Sequence, residues 1–159
     1  MTTSTPVLNS PVLNSRVIGL AHYAARALLE SVLARHGATF QQSVTLRLVA
    51  VADGPVETEQ LVESVVDSLK IDAKEAHSVV DELLAAGLLA SQKPSRVRIT
   101  DGGRELFETT SAETAPISAR VYAGIPAEDL AVAGRVLSLI TERANGELAT
   151  VATQPTPAK

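Results

Sequence analysis

Between Thr58 and Leu84 the apolar residues fall in two runs at helical spacing. Leu61, Val62, Val65, Val66 and Leu69 form the first stripe, and Ala76, Val79, Val80, Leu83 and Leu84 the second. Each predicts an amphipathic helix with one face turned to a shared core. Lys70-Ile71-Asp72 lies between them. There Ile71 can plug a tight turn, and Asp72 can accept hydrogen bonds from the free N–H groups that open the second helix. Gly87 ends that helix, and the period then changes to two. Leu88-Leu89-Ala90 predicts a strand, Lys93-Pro94-Ser95 a tight turn, and Arg96-Val97-Arg98-Ile99 a second strand with both arginines on one face. Thr100 caps the next helix, where Asp101 complements the positive end of the dipole. Two helices followed by a two-stranded basic wing read as a winged helix-turn-helix.

The flanks are helical. Asn14 or Ser15 can cap a first helix that runs to about His36 and stops at Gly37, with Val17, Leu20, Ala24, Leu28 and Val32 among its inward positions. Thr39 and Gln42 form a capping box for a second helix, which ends before Asp53-Gly54-Pro55. After the wing a long helix runs from about Asp101 toward Ala123; Pro116 inside it should kink it or end its first part, and Gly124 breaks it. Pro126 suits the first turn of a final helix. There Leu130, Ala133, Leu137, Ile140 and Ala144 make one stripe, widened by Val132, Val136 and Leu139, as a helix–helix interface requires. The pentapeptide Pro6-Val7-Leu8-Asn9-Ser10 is repeated at once as Pro11 to Ser15 and reads as a mobile arm or a strap across a subunit; from Thr150 onward the chain reads as a disordered tail.

Composition narrows the function classes. A chain of 159 residues fits one compact domain. Its 45% hydrophobic content and mean hydropathy of +0.16 point to apolar surface buried against a partner, most simply a second copy. The absence of cysteine excludes disulfides, thiolate metal sites and thiol redox sensing. His22, His36 and His77 are scattered without metal-ligand spacing, and Gly102-Gly103 fits a helix opening rather than a phosphate loop. The expectation is therefore no enzyme, no metal and no cofactor. Tyr23, Phe40, Phe107 and Tyr122 are too few to form a stacking platform for single-stranded nucleic acid. There is no apolar run near 18 residues and no signal-like start, which reads as a cytoplasmic protein with no membrane partner. Arginine exceeds lysine, and alanine and valine are abundant, as in GC-rich bacterial genomes.

Three segments carry a family resemblance: LKIDAKEAHSVVDELLAAGLL from Leu69 to Leu89, VRITDGGREL from Val97 to Leu106, and IPAEDLAVAGRVLSLITER from Ile125 to Arg143. In this order the chain resembles the MarR family of dimeric bacterial transcription regulators across residues 15 to 147. The segments correspond to that family's recognition helix with its Gly-Leu exit, the Leu-Thr-x-x-Gly opening of its long helix, and its last dimerisation helix. The resemblance implies a mainly α fold with a small β wing, a winged helix-turn-helix domain plus a helical dimerisation region. The organisation it implies is a flexible N-terminal arm at 1–14, a helical dimerisation region at 15–38 and 101–148, a winged helix-turn-helix DNA-binding domain at 39–100, and a disordered tail at 149–159.

The same resemblance makes Asp72–Ala86 the recognition helix and Ser91–Thr100 the wing of a double-stranded DNA-binding homodimer, a repressor that recognises a pseudopalindromic operator. Lys74, Glu75, His77 and Ser78 on the helix, with Lys93, Ser95, Arg96 and Arg98 on the wing, are the candidate DNA contacts. Two departures stand out: Ser78 occupies a place where the family often has arginine, and the wing lacks the usual longer tip with its Asp-Arg pair. The charge pattern pulls the other way, because the recognition helix has Lys74 against Asp72, Glu75, Asp81 and Glu82, and the whole chain is formally -4. A winged-helix dimer with weak or lost DNA binding, acting as a ligand-binding or protein-interaction adaptor, is the alternative. The family also implies release by a small aromatic or phenolic ligand, for which His22, Tyr23, Arg26, Arg47 and Tyr122 are the candidates. Interface hydrogen bonding, surface ion pairing or phosphate contact is the competing role for these residues.

Overall fold

In a computed structural model that describes residues 11–52 and 54–153, the chain divides into two compact units, residues 1–118 and 119–159. The first holds α1 (Ser15–Arg35), α2 (Phe40–Val51), β1 (Val56–Glu57), α3 (Thr58–Leu69), α4 (Ala73–Ala85), β2 (Leu89–Gln92), β3 (Arg96–Ile99) and most of α5 (Asp101–Tyr122). The second holds the last turn of α5 and α6 (Ala127–Thr153).

The helix starts are set by side chains the sequence supplies at the right offsets. Asn14 accepts from the Val17 amide at 3.1 Å. Thr39 and Gln42 exchange the two bonds of a capping box, and Asp72 accepts from the Glu75 amide at 2.8 Å. Each satisfies a first-turn N–H that the helix itself cannot. Lys70 turns the chain out of α3 in the left-handed conformation, at φ 55°, with its amide bonded to the Val66 carbonyl.

The core of the first unit joins Leu46 and Val49 of α2, Leu61, Val62 and Val65 of α3, Ala76, Val79, Val80 and Leu83 of α4, Leu89 of β2 and Val97 of β3. Ile71 packs half-buried against it from the turn. Each of the large aliphatic side chains contributes about 1.5–3 kcal/mol when fully buried. The sheet is antiparallel with order β1-β3-β2. Val97 faces the core, while Arg96 and Arg98 on either side of it face solvent.

Thr100 and Gly103 lock the wing to α5. The Thr100 hydroxyl donates to the carbonyls of Gly87, at 2.6 Å, and Leu88, at 3.1 Å, and accepts from the Gly103 amide at 3.0 Å. A Cβ at Gly103 would stand 2.1 Å from the Leu88 carbonyl oxygen, so only glycine permits this approach. At the far end, Arg35, the last residue of α1, and His36, its cap, both reach Glu113 of α5, at 2.6 and 3.0 Å.

Several expectations change. Strand β1 is additional to the two-stranded wing: the residues after Pro55 pair with β3, in register Val56↔Val97 and Glu57↔Arg96. Pro116 does not end α5, which continues through it to Tyr122. Only Val32 and Leu33 of α1 are buried; Leu20 and Leu28, expected to point inward, are 61% and 42% exposed, because no element of the unit covers that side. Helix α1 is also long and apolar enough, by length and composition, to cross a membrane, with a mean hydropathy of 1.3 over its most apolar window. Its valine, isoleucine and leucine residues are broken into short groups by Gly19, His22, Arg26 and Glu30, so no continuous apolar run marks the helix in the sequence. Helix α6 continues to Thr153, past the expected start of the tail at Thr150. The first copy of the repeated pentapeptide, most of the arm and the rest of the tail lie outside the described residues.

Candidate nucleic-acid interface

Helix α4 buries Ala76, Val79, Val80 and Leu83, so its 3.6-residue period leaves Lys74 and Ser78 on the solvent face. Beside it the wing folds so that one groove of about 250 Å³ is shared between them. His77 and Asp81 of α4 line one side, and Lys93, Ser95 and Arg96 line the other. Four of the candidate contacts are thereby brought together, and the acid Asp81 sits among them. His77 Nε2 lies 3.6 Å from the carboxylate of Glu59 on α3. Arg98 is outside this groove, in a cleft with Ala52, Pro55 and Arg104.

Glu75, the awkward acid at the start of α4, is turned toward α2: its Oε1 accepts from Gln41 Nε2 at 2.8 Å. About two turns later, Glu82 Oε2 accepts from Gln42 Nε2 at 2.8 Å. Two adjacent glutamines of α2 thus hold two carboxylates of α4. A Glu75 occupied in this way is a poor candidate for a base contact.

The wing tip is tied down by residues that the sequence reading passed over. Glu57 Oε2 accepts from the Ser95 hydroxyl at 2.6 Å, and its Oε1 accepts from Arg96 Nε at 2.7 Å. The Ser95 carbonyl accepts from both the amide and the hydroxyl of Thr58, at 2.9 and 2.8 Å. The Ser95 hydroxyl bond, then that of Arg96, holds the Glu57 carboxyl below its ordinary value. Nothing in the sequence pattern marks Glu57, because a two-residue strand is too short to show an alternation.

The ligand candidates separate. His22 and Arg26 line an open cleft of about 280 Å³ with Phe40, Gln41, Val44, Leu69 and Ile71. The Arg26 guanidinium stands 4.4 Å over the Phe40 ring, while its Nε donates to Glu30 at 2.9 Å. Tyr23 is exposed, its ring centroid 5.3 Å from that of His22 in a T-shaped arrangement. Arg47 is exposed and lines none of these clefts. Tyr122, 53% exposed, belongs to the second unit. Among the described residues no cluster of histidine and carboxylate groups could hold a metal ion.

No protein-family model matches the sequence, and no curated protein matches it. Solved structures do match in fold. CouR from Rhodococcus jostii RHA1, bound to p-coumaroyl-CoA, is 19% identical and superimposes with a TM-score of 0.67 over 79% of this chain and 88% of its own. The reduced form of MarR from E. coli is 17% identical, with a TM-score of 0.65 over 86% of this chain and 98% of its own. Sco5413, a MarR family transcriptional regulator from Streptomyces coelicolor, is 19% identical, with a TM-score of 0.67 over 82% and 92%. Low identity with near-complete coverage of the neighbours makes the likeness one of architecture: this chain has the winged-helix fold of the MarR-type transcriptional regulators.

Proposed function

We propose that the protein is a homodimeric, sequence-specific regulator that binds double-stranded DNA, with α4 in the major groove and the wing against the backbone. The observation that carries this reading is the shared groove: the solvent face of α4, with Lys74, His77 and Ser78, stands beside a wing whose Lys93 and Arg96 extend the same surface. Phosphate contacts from such cations supply affinity and register, while groups on the helix read base edges. The acids of α4 keep their charge but are held in place, since Gln41 and Gln42 turn Glu75 and Glu82 toward α2 and Asp72 accepts at the helix cap.

The partner copy is inferred from uncovered apolar surface. Along α6, Leu130, Val132, Val136, Leu137, Leu139 and Ile140 are all exposed, and on α1 so are Leu20, Tyr23 and Leu28. Surfaces of this kind mark interfaces. We assign residues 15–38 and 101–148, with α1, α5 and most of α6, to dimerisation, and residues 39–100 to DNA binding.

A small aromatic or phenolic effector fits the cleft of His22, Arg26 and Phe40, and CouR, bound to p-coumaroyl-CoA, provides a precedent. An occupant that competes for Gln41 would release Glu75 from α2 and let its carboxylate swing toward phosphate, which lowers DNA affinity.

The deciding experiment titrates the purified protein into a labelled duplex from its own upstream region, at two salt concentrations and with excess unrelated DNA. Competitor-resistant binding with a steep salt slope supports a specific regulator. Binding erased by competitor on every duplex selected from a random pool would favour the adaptor reading instead.

A further inference from the structure

Glu57 is a carboxylate placed where a DNA-binding surface should least tolerate one. It sits directly opposite Arg96 across the β1–β3 pairing, beside the groove that Lys93, Ser95 and Arg96 line. If charge alone mattered, it would cancel a wing cation and repel phosphate, and its removal would strengthen binding.

The geometry points to the opposite role: we infer that Glu57 is a positioning residue, which fixes Arg96 and the wing turn in the conformation that engages DNA. The inference rests on the DNA-binding reading above. Four hydrogen bonds converge on this one junction. Two reach the Glu57 carboxylate, from Ser95 Oγ and Arg96 Nε, and two reach the Ser95 carbonyl from Thr58.

Because the bond to Glu57 uses Nε, it leaves both terminal nitrogens of Arg96, which make no hydrogen bond among the described residues. An arginine so held presents a planar, bidentate donor pair without having to order its long side chain on binding. Ser95, by contrast, spends its hydroxyl proton on Glu57 and is part of the latch rather than a phosphate donor.

The test compares wild type with Glu57→Gln, Glu57→Ala and Arg96→Ala on the duplex that the wild-type protein selects from a random-sequence pool. Glu57→Gln keeps one acceptor and nearly the same shape, and a circular dichroism melt of each variant verifies that it folds. Both Glu57 variants are expected to bind about three- to tenfold more weakly, although each removes a negative charge. Their salt slope should fall by about one phosphate contact. In the Arg96→Ala background the Glu57 changes should add little, since the group they orient is gone. Binding by Glu57→Gln that is unchanged or tighter than wild type would overturn the positioning role and leave the DNA reading intact. Selection of no duplex by the wild type would overturn both.

Discussion

Gly103 has no room for a side chain. A methyl group there would have to displace the Leu88 carbonyl, which also receives the Thr100 amide and hydroxyl. Gly103→Ala is therefore expected to cost about 1–3 kcal/mol or more by overpacking, read from urea unfolding followed by circular dichroism. Gly102, two residues from the same cap, has 3.8 Å to its nearest neighbour, and Gly102→Ala serves as the tolerant control. Glu113 makes a second prediction at this scale. The hydrogen bond from Arg35, and then that from His36, holds its carboxyl below the ordinary value of 4.5. A carboxyl depressed in the folded state stabilises it above the ordinary value, and that contribution is lost as pH falls from 4.5 through the lowered folded value. Glu113→Gln should thus be less stable than wild type at neutral pH, and the difference should close on acidification below 4.5. A difference that persists in acid would mean that packing, not the charge, holds α1 to α5.

At the scale of elements, α3 and α4 were the most legible, because their stripes, the Ile71 plug and the Asp72 cap are all local. Asp72→Ala should lower stability by about 1 kcal/mol, measured by denaturant midpoint. It should also weaken duplex binding, because fraying begins in the turn that carries Lys74. The wing hairpin was equally legible from its alternation, and the Thr100 and Gly103 positions from the family pattern. Strand β1 was not, since Val56-Glu57 gains its strand character only by pairing with β3. With β1 hidden, Arg96 read as a free wing cation and Ser95 as a contact, when both are engaged by Glu57.

At the scale of the molecule, the proposed dimer rests on the exposed apolar face of α6. Replacing Leu137 and Ile140 together by glutamate should yield a monomer by analytical ultracentrifugation and abolish tight operator binding, since each half-site alone retains little affinity. Two recognition helices in a dimer are expected about one DNA turn apart, roughly 34 Å. Inserting about five base pairs between half-sites, half a turn, should then remove cooperative binding, as checked by footprinting. A dimer that protects a single asymmetric half-site would contradict this arrangement.

The amino-acid sequence by itself determined the helices, their caps and stops, the order of helices and wing, and through that order the MarR-type fold. These features depend on residues three or four positions apart, or on alternation within a strand. The tertiary structure decided which charged groups are available. Gln41 meets Glu75 across 34 residues of chain and Arg96 meets Glu57 across 39, distances over which no local pattern carries information. It also decided that the apolar residues of α1 divide into a buried end and an uncovered length. Periodicity reports that a face is apolar; only packing shows whether the chain itself covers it.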